Sequence, residues 1–103
     1  MSKAKKIPVV LTTDRTKRGV FFGYISADDL KNGKENISII AEEVQMCVYW
    51  AQSVRGVLGL AATGPSKDSR VTKPVKSGRI EGVTLVLEAS HEAVAAWKSC
   101  PWG

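Results

Sequence analysis

The chain has 103 residues, 44% of them hydrophobic and 24% charged, which suits one packed domain and is too apolar for a chain disordered over most of its length. The formal net charge is +5, but Lys3, Lys5 and Lys6 supply three of those charges from residues 1–6, expected to be a mobile basic tail. Residues 7–103, the expected domain, keep about +2, too little on its own to demand a nucleic-acid partner.

Ile7 to Thr13 is apolar and β-branched, Asp14 to Arg18 makes a polar turn, and Val20 to Ile25 resumes as a second strand of a hairpin. On that strand Val20, Phe22 and Tyr24 point one way and Phe21, Gly23 and Ile25 the other. Gly23 inside a strand implies a bulge or the close approach of another backbone. Ser26 to Asp29 resembles a capping box with room for one helical turn, closed by the Asn32-Gly33 turn. Asn36 to Ile40 reads as a short strand leading to Glu42 and Glu43.

Val44 to Ala51 fits both a helical and a strand period, and its Val, Tyr and Trp content favours strand, with Met46, Val48 and Trp50 inward and Tyr49 outward. Ser53 to Gly56 makes a turn, and Val57 to Ala62 is expected to return as a strand. Thr63 to Pro74 is a polar loop opened by Gly64-Pro65. Gly82 to Glu88 is the clearest strand. Ser90 caps a final helix through about Lys98, with Ala93, Val94 and Trp97 on its apolar side. The sum is an α+β, β-rich domain: a twisted antiparallel sheet or small open barrel of five to six strands, one C-terminal helix packed on it, and one core. A weak echo runs through Arg18-Gly-Val, Arg55-Gly-Val and Arg79-Ile-Glu-Gly-Val, each placing an arginine before a glycine-led strand.

Cys47 and Cys100 form no C-x-x-C pair and His91 is the one histidine, so neither a structural zinc site nor a disulfide scaffold is expected, and no metal or cofactor. The run Ile7 to Leu11 is shorter than a signal-peptide core and no stretch approaches spanning length, so a cytoplasmic protein with no membrane partner is expected. His91 falls at the first position of the last helix, Asp28-Asp29 and Glu42-Glu43 read as solvated surface, and no Ser or Cys has a positioned base. No catalytic residue and no enzyme activity are therefore expected.

Binding is the better fit. Gly64 can bring backbone close to an anion, Thr63, Ser66 and Ser69 supply hydroxyls, and Lys67 and Arg70 supply cations, although the P-loop spacing is absent. Among the aromatic residues, alternation leaves Phe21 and Tyr49 on faces opposite the expected core, where they can stack on bases beside Arg18 and Arg55.

The segments RGVFFGYI, MCVYW, VRGVLGLAATGPSKDSRV and GVTLVLEASHEAVAAWKSCPW resemble an uncharacterised family of small proteins encoded by tailed phages and prophages. The resemblance covers most of the chain from Ile7, with residues 27–43 least matched. It implies an accessory role in the host cytoplasm and transfers no site residues. Taken together, the expectation is a non-catalytic homo-oligomer that binds a phosphate-bearing small molecule, a host-defence cyclic nucleotide signal, through Arg18, Phe21, Tyr49, Arg55, Thr63, Gly64, Ser66, Lys67, Ser69 and Arg70. A nucleic-acid-binding accessory protein and a protein inhibitor of a host factor are the alternatives.

Overall fold

The computed structural model describes residues 6–13, 19–31, 37–50, 54, 56–66 and 69–99. Among them the elements run β1 (Lys6–Thr13), β2 (Gly19–Ser26), α1 (Ala27–Lys31), β3 (Ile37–Tyr49), α2 (Gly56–Ala62), β4 (Arg70–Val71), β5 (Val75–Glu88) and α3 (His91–Ser99). The strands form an antiparallel sheet in the order β2-β1-β5-β3-β4, with α3 packed on it. This is the expected fold class. β3 also pairs with β2, so the sheet coils back toward itself while staying short of a closed barrel.

Two long strands make that curvature by changing partners. β5 pairs with β3 from Val75 to Val83 and with β1 from Val83 to Glu88. At the changeover Gly82 has φ +69, a left-handed conformation that glycine adopts without strain, and the register against β3 shifts by one residue. β3 pairs with β5 from Ile37 to Val44 and with β2 from Glu42 to Met46. There an extra residue separates Glu42 from Gln45, and Glu43 takes φ 54, a conformation costly for any residue with a Cβ. Opposite this bulge, a Cβ on Gly23 would lie 3.1 Å from Ala41 Cβ and 3.2 Å from the Glu42 carbonyl oxygen. The close approach read from Gly23 is thus made by β3.

Several expectations are corrected. The strands expected over Asn36 to Ile40 and Val44 to Ala51 are, within the described residues, one strand, β3, which continues through the exposed Glu42-Glu43 pair; Asn36 and Ala51 lie outside the described residues. Lys6, expected in the tail, opens β1 opposite Ser26 and reaches Glu42 at 3.6 Å. β5 starts seven residues before the expected Gly82. Val57 to Ala62 is helical, inside α2. A Cβ on Gly59 would sit 1.5 Å from the Val54 carbonyl oxygen five residues earlier, so only glycine lets this turn seat on the backbone that leads into it. The helix ends at Gly64, φ +83, where the N–H groups of Thr63 and Gly64 donate to the Gly59 carbonyl at 2.8 and 3.0 Å. Of the arginine-glycine echoes, only that at Gly19 leads a strand; Gly56 heads a helix and Gly82 lies inside β5.

Buried side chains form two clusters rather than one. Val10, Phe22, Cys47, Leu60, Val71, Ala93 and Trp97 lie between the sheet and the two helices α2 and α3. Val9, Leu11, Ile25, Ile39, Ala41, Ile80 and Val83 fill the other face, where the curled sheet closes on itself. β1 shows the division, with Val9 and Leu11 in one cluster and Val10 in the other.

On the helix side, polar groups tie the layers. Trp97 stacks on Phe22 with ring centroids 5.1 Å apart and donates its indole N–H to the Leu60 carbonyl at 3.1 Å. Gln45, buried, donates to the carbonyls of Thr72 and Trp97, both at 3.0 Å. Ser90 caps α3 as expected, accepting from the Ala93 N–H at 3.0 Å, while its own hydroxyl donates to the Ala62 carbonyl.

Candidate functional site

The end of β3 and the short strand β4 pair at one edge of the sheet. Tyr49 lies directly across the ladder from Arg70, so their side chains leave the sheet on the same side, and both are exposed, Tyr49 by 54%. Two features set this geometry. Val71 is fully buried, which by strand alternation turns Arg70 outward. The register shifts between Cys47 and Tyr49, so that Cys47 turns into the helix-side cluster while Val48, expected inside, is 51% exposed next to Tyr49. The outward position expected for Tyr49 holds, through a bulge rather than through simple alternation.

The loop leading into β4 is built differently from an open anion cradle. Gly64 is buried against α3: a Cβ there would lie 2.5 Å from Ala96 Cβ and 2.9 Å from the Ala93 carbonyl oxygen. Its freedom from a side chain serves helix packing. Ser66 and Ser69 clasp each other. The Ser69 N–H donates to the Ser66 carbonyl at 2.9 Å, the Ser66 N–H donates to Ser69 Oγ at 3.2 Å, and the two hydroxyl oxygens lie 3.3 Å apart. Thr63 is exposed and donates its hydroxyl to the Gly59 carbonyl at 3.1 Å. The hydroxyls foreseen as ligand donors thus have partners within the chain: those of Ser66 and Ser69 in each other, just before Arg70, and that of Thr63 in the end of α2.

Of the remaining residues picked from sequence, Arg18, Arg55 and Lys67 lie outside the described residues. Phe21 is half-buried and packs on the sheet-enclosed cluster, because the face opposite Phe22 is itself a core. Tyr24 is half-buried, edge-on to Phe22, with the Lys98 ammonium 5.2 Å above its ring. Hydrogen bonding to Tyr24 and its charge, with a smaller contribution from Glu43, raise the Lys98 pKa. Trp50 packs half-buried on the helix-side cluster. Tyr49 is therefore the exposed ring among Phe21, Phe22, Tyr24, Tyr49 and Trp50.

Lys73 and Lys76, not singled out from sequence, stand exposed just beyond Arg70. The signal was there as a three-residue spacing, Arg70, Lys73, Lys76, but it falls across a loop-to-strand boundary that the sequence does not mark. Among the described residues no group of three or more His, Cys, Asp or Glu could hold a metal ion, and no helix is long and apolar enough to cross a membrane.

Fold and edge together define a small curled antiparallel sheet, backed by a helix, that presents one aromatic and one cationic side chain on a rigid ladder. The chain belongs to a family of uncharacterised domains, described as a domain of unknown function (DUF6948), whose model matches residues 6–97. Comparisons with curated proteins and with solved structures gave no match.

Proposed function

We propose that the chain is a non-catalytic binding module for a phosphate-bearing ligand of the nucleotide class, held at the Tyr49–Arg70 edge. The observation that carries this is the pairing of those two residues across β3 and β4, both exposed: a ring face for a base and a guanidinium for a phosphate, fixed about one ladder step apart. Stacking of a base on such a ring contributes about 1–3 kcal/mol, and a guanidinium adds charge-assisted hydrogen bonds. A domain this small encloses little by itself, so a second copy closing over the edge would supply the opposite wall. The role proposed for such a module is to sequester a host nucleotide signal, in keeping with the accessory role that the sequence resemblance to phage-encoded proteins implies.

The test is mass spectrometry of any ligand released from the purified protein, joined to calorimetry against a panel of linear and cyclic nucleotides. The expected result is binding of at least one member, weakened tenfold or more in Tyr49→Ala and in Arg70→Ala. No released ligand and no binding to any member would remove the reading.

A second reading, a docking surface for a host protein, is favoured by the exposure of Val48 beside Tyr49 and of Leu58, 68% exposed, on α2. A stoichiometric host protein recovered in a pulldown and lost in Val48→Asp would select it.

A further inference from the structure

The change of partners in β5 leaves part of that strand paired on one side only. From Val75 to Ile80 it is laddered to β3 in unbroken register, whereas β1 reaches its other edge only at Val83. Among the described residues no strand lies along that other edge before Val83. The side chains agree: Val75 is 61% exposed, and Lys76, Ser77, Arg79 and Glu81 are exposed as well. An edge of this kind presents backbone donors and acceptors that another strand can take up.

Folded chains commonly guard such an edge with a proline, a bulge or unmatched charge. Val75 to Glu81 holds no proline, and the ladder from Val75 to Ile80 has no bulge. Its cations are answered from within the chain. Arg79 pairs with Glu81 at 3.1 Å, and the exposed Glu43 stands level with Lys76, between the cross-strand pairs Glu42–Ser77 and Val44–Val75. At the midpoint stands Gly78. Its backbone is not left-handed, and a Cβ there would meet only Val44 Cγ2, at 4.0 Å. A glycine inside a regular strand weakens it and marks a place where another backbone comes close; within the described chain none does so here.

We propose that Val75 to Glu81 is the pairing edge of a homodimer, laid antiparallel against the same stretch of a second copy about a two-fold axis at Gly78. The residue on such an axis faces its own copy, and glycine brings no side chain there. In this register Lys76 opposes Ile80 of the second copy, Arg79 opposes Ser77, and Glu81 opposes Val75, so that no charge directly meets its like. An axis at Arg79 would set that arginine against itself. One short ladder is a small contact, so the dimer is reversible rather than obligate. The edge is separated from the Tyr49–Arg70 pair by β3, and neither reading depends on the other.

Sedimentation velocity of the full chain, at concentrations rising to the submillimolar range, is expected to show a monomer–dimer equilibrium. Val75→Asp sets a carboxylate against each Glu81 and should weaken the dimer about tenfold, whereas Val75→Lys sets an ammonium there and should leave it as tight or tighter. Circular dichroism should show both variants folded, since Val75 is exposed. In a Cys100→Ser background, with Cys47 buried, Gly78→Cys should form an intermolecular disulfide on mild oxidation. Ser77→Cys, offset by two residues from its own copy, should not. A chain that stays monomeric, or a dimer on which Val75→Asp and Val75→Lys act alike, overturns the proposal. Cross-linking of Ser77→Cys as readily as Gly78→Cys overturns the axis at Gly78. None of these outcomes bears on nucleotide binding.

Discussion

The two faces of the sheet are sealed by different means. On the helix side the layers are joined by donors aimed at specific carbonyls: the Trp97 indole at Leu60 and the Gln45 amide at Thr72 and Trp97. On the other side seven aliphatic residues, with the half-buried Phe21 against them, pack within the curled sheet, and Gly23 and Gly82 allow the strands to approach and turn. The first face is fixed by directional bonds that fail singly, whereas the second depends on shape and spreads any loss over its neighbours. The exposed Tyr49–Arg70 edge grows from the first face, since Cys47 and Val71 on the same ladder are buried there.

The largest expected effect is that of Trp97→Ala, which removes a fully buried ring and leaves the Leu60 carbonyl unpaired, at a cost of about 3–5 kcal/mol read from urea denaturation. Leu11→Ala, on the opposite face, should cost about 2–5 kcal/mol, all of it lost transfer energy and cavity. The sharper contrast comes from Gln45→Leu. It keeps volume but strands two carbonyls, and a loss of about 1–3 kcal/mol is expected; a neutral result would mean that directional bonds do not hold the helix face, and the comparison would collapse. Smallest is Glu43→Gly, expected to add about 1 kcal/mol of stability and so raise the urea midpoint, because the left-handed bulge no longer carries a Cβ. No gain there would mean that the Glu43 charge near Lys98 offsets the strain.

How far the sequence foretold this depended on how many partners each segment meets. The faces of β2 were legible because period-two alternation is local, and so was α3, whose Ser90 cap and Trp97 are local too. α2 was not, since seven residues with two glycines read equally well as a buried strand, and the Gly59 seat against Val54 appears only in three dimensions. β3 was read as two strands because a pair of glutamates looks like a break until Lys6 and an outward bulge account for it. Of the site, Tyr49 was found where it was expected. The packing of Gly64 on α3 and of Phe21 on the sheet-enclosed cluster was not legible for one shared reason: a single core was assumed, and both contacts belong to a second layer or a second cluster.

The changeover in β5 bears on how the chain folds. β1 lies at the start of the sequence, yet one of its two edges is occupied only when Val83 to Glu88, near the end, arrives, and β3 likewise waits for Val75 to Val83. Contacts of such long sequence separation slow folding, and until the last strand docks both waiting edges present open hydrogen-bonding groups. A chain emerging from the ribosome would therefore hold its sheet incomplete until β5 is made, and a truncation before β5 should aggregate rather than persist as a smaller domain.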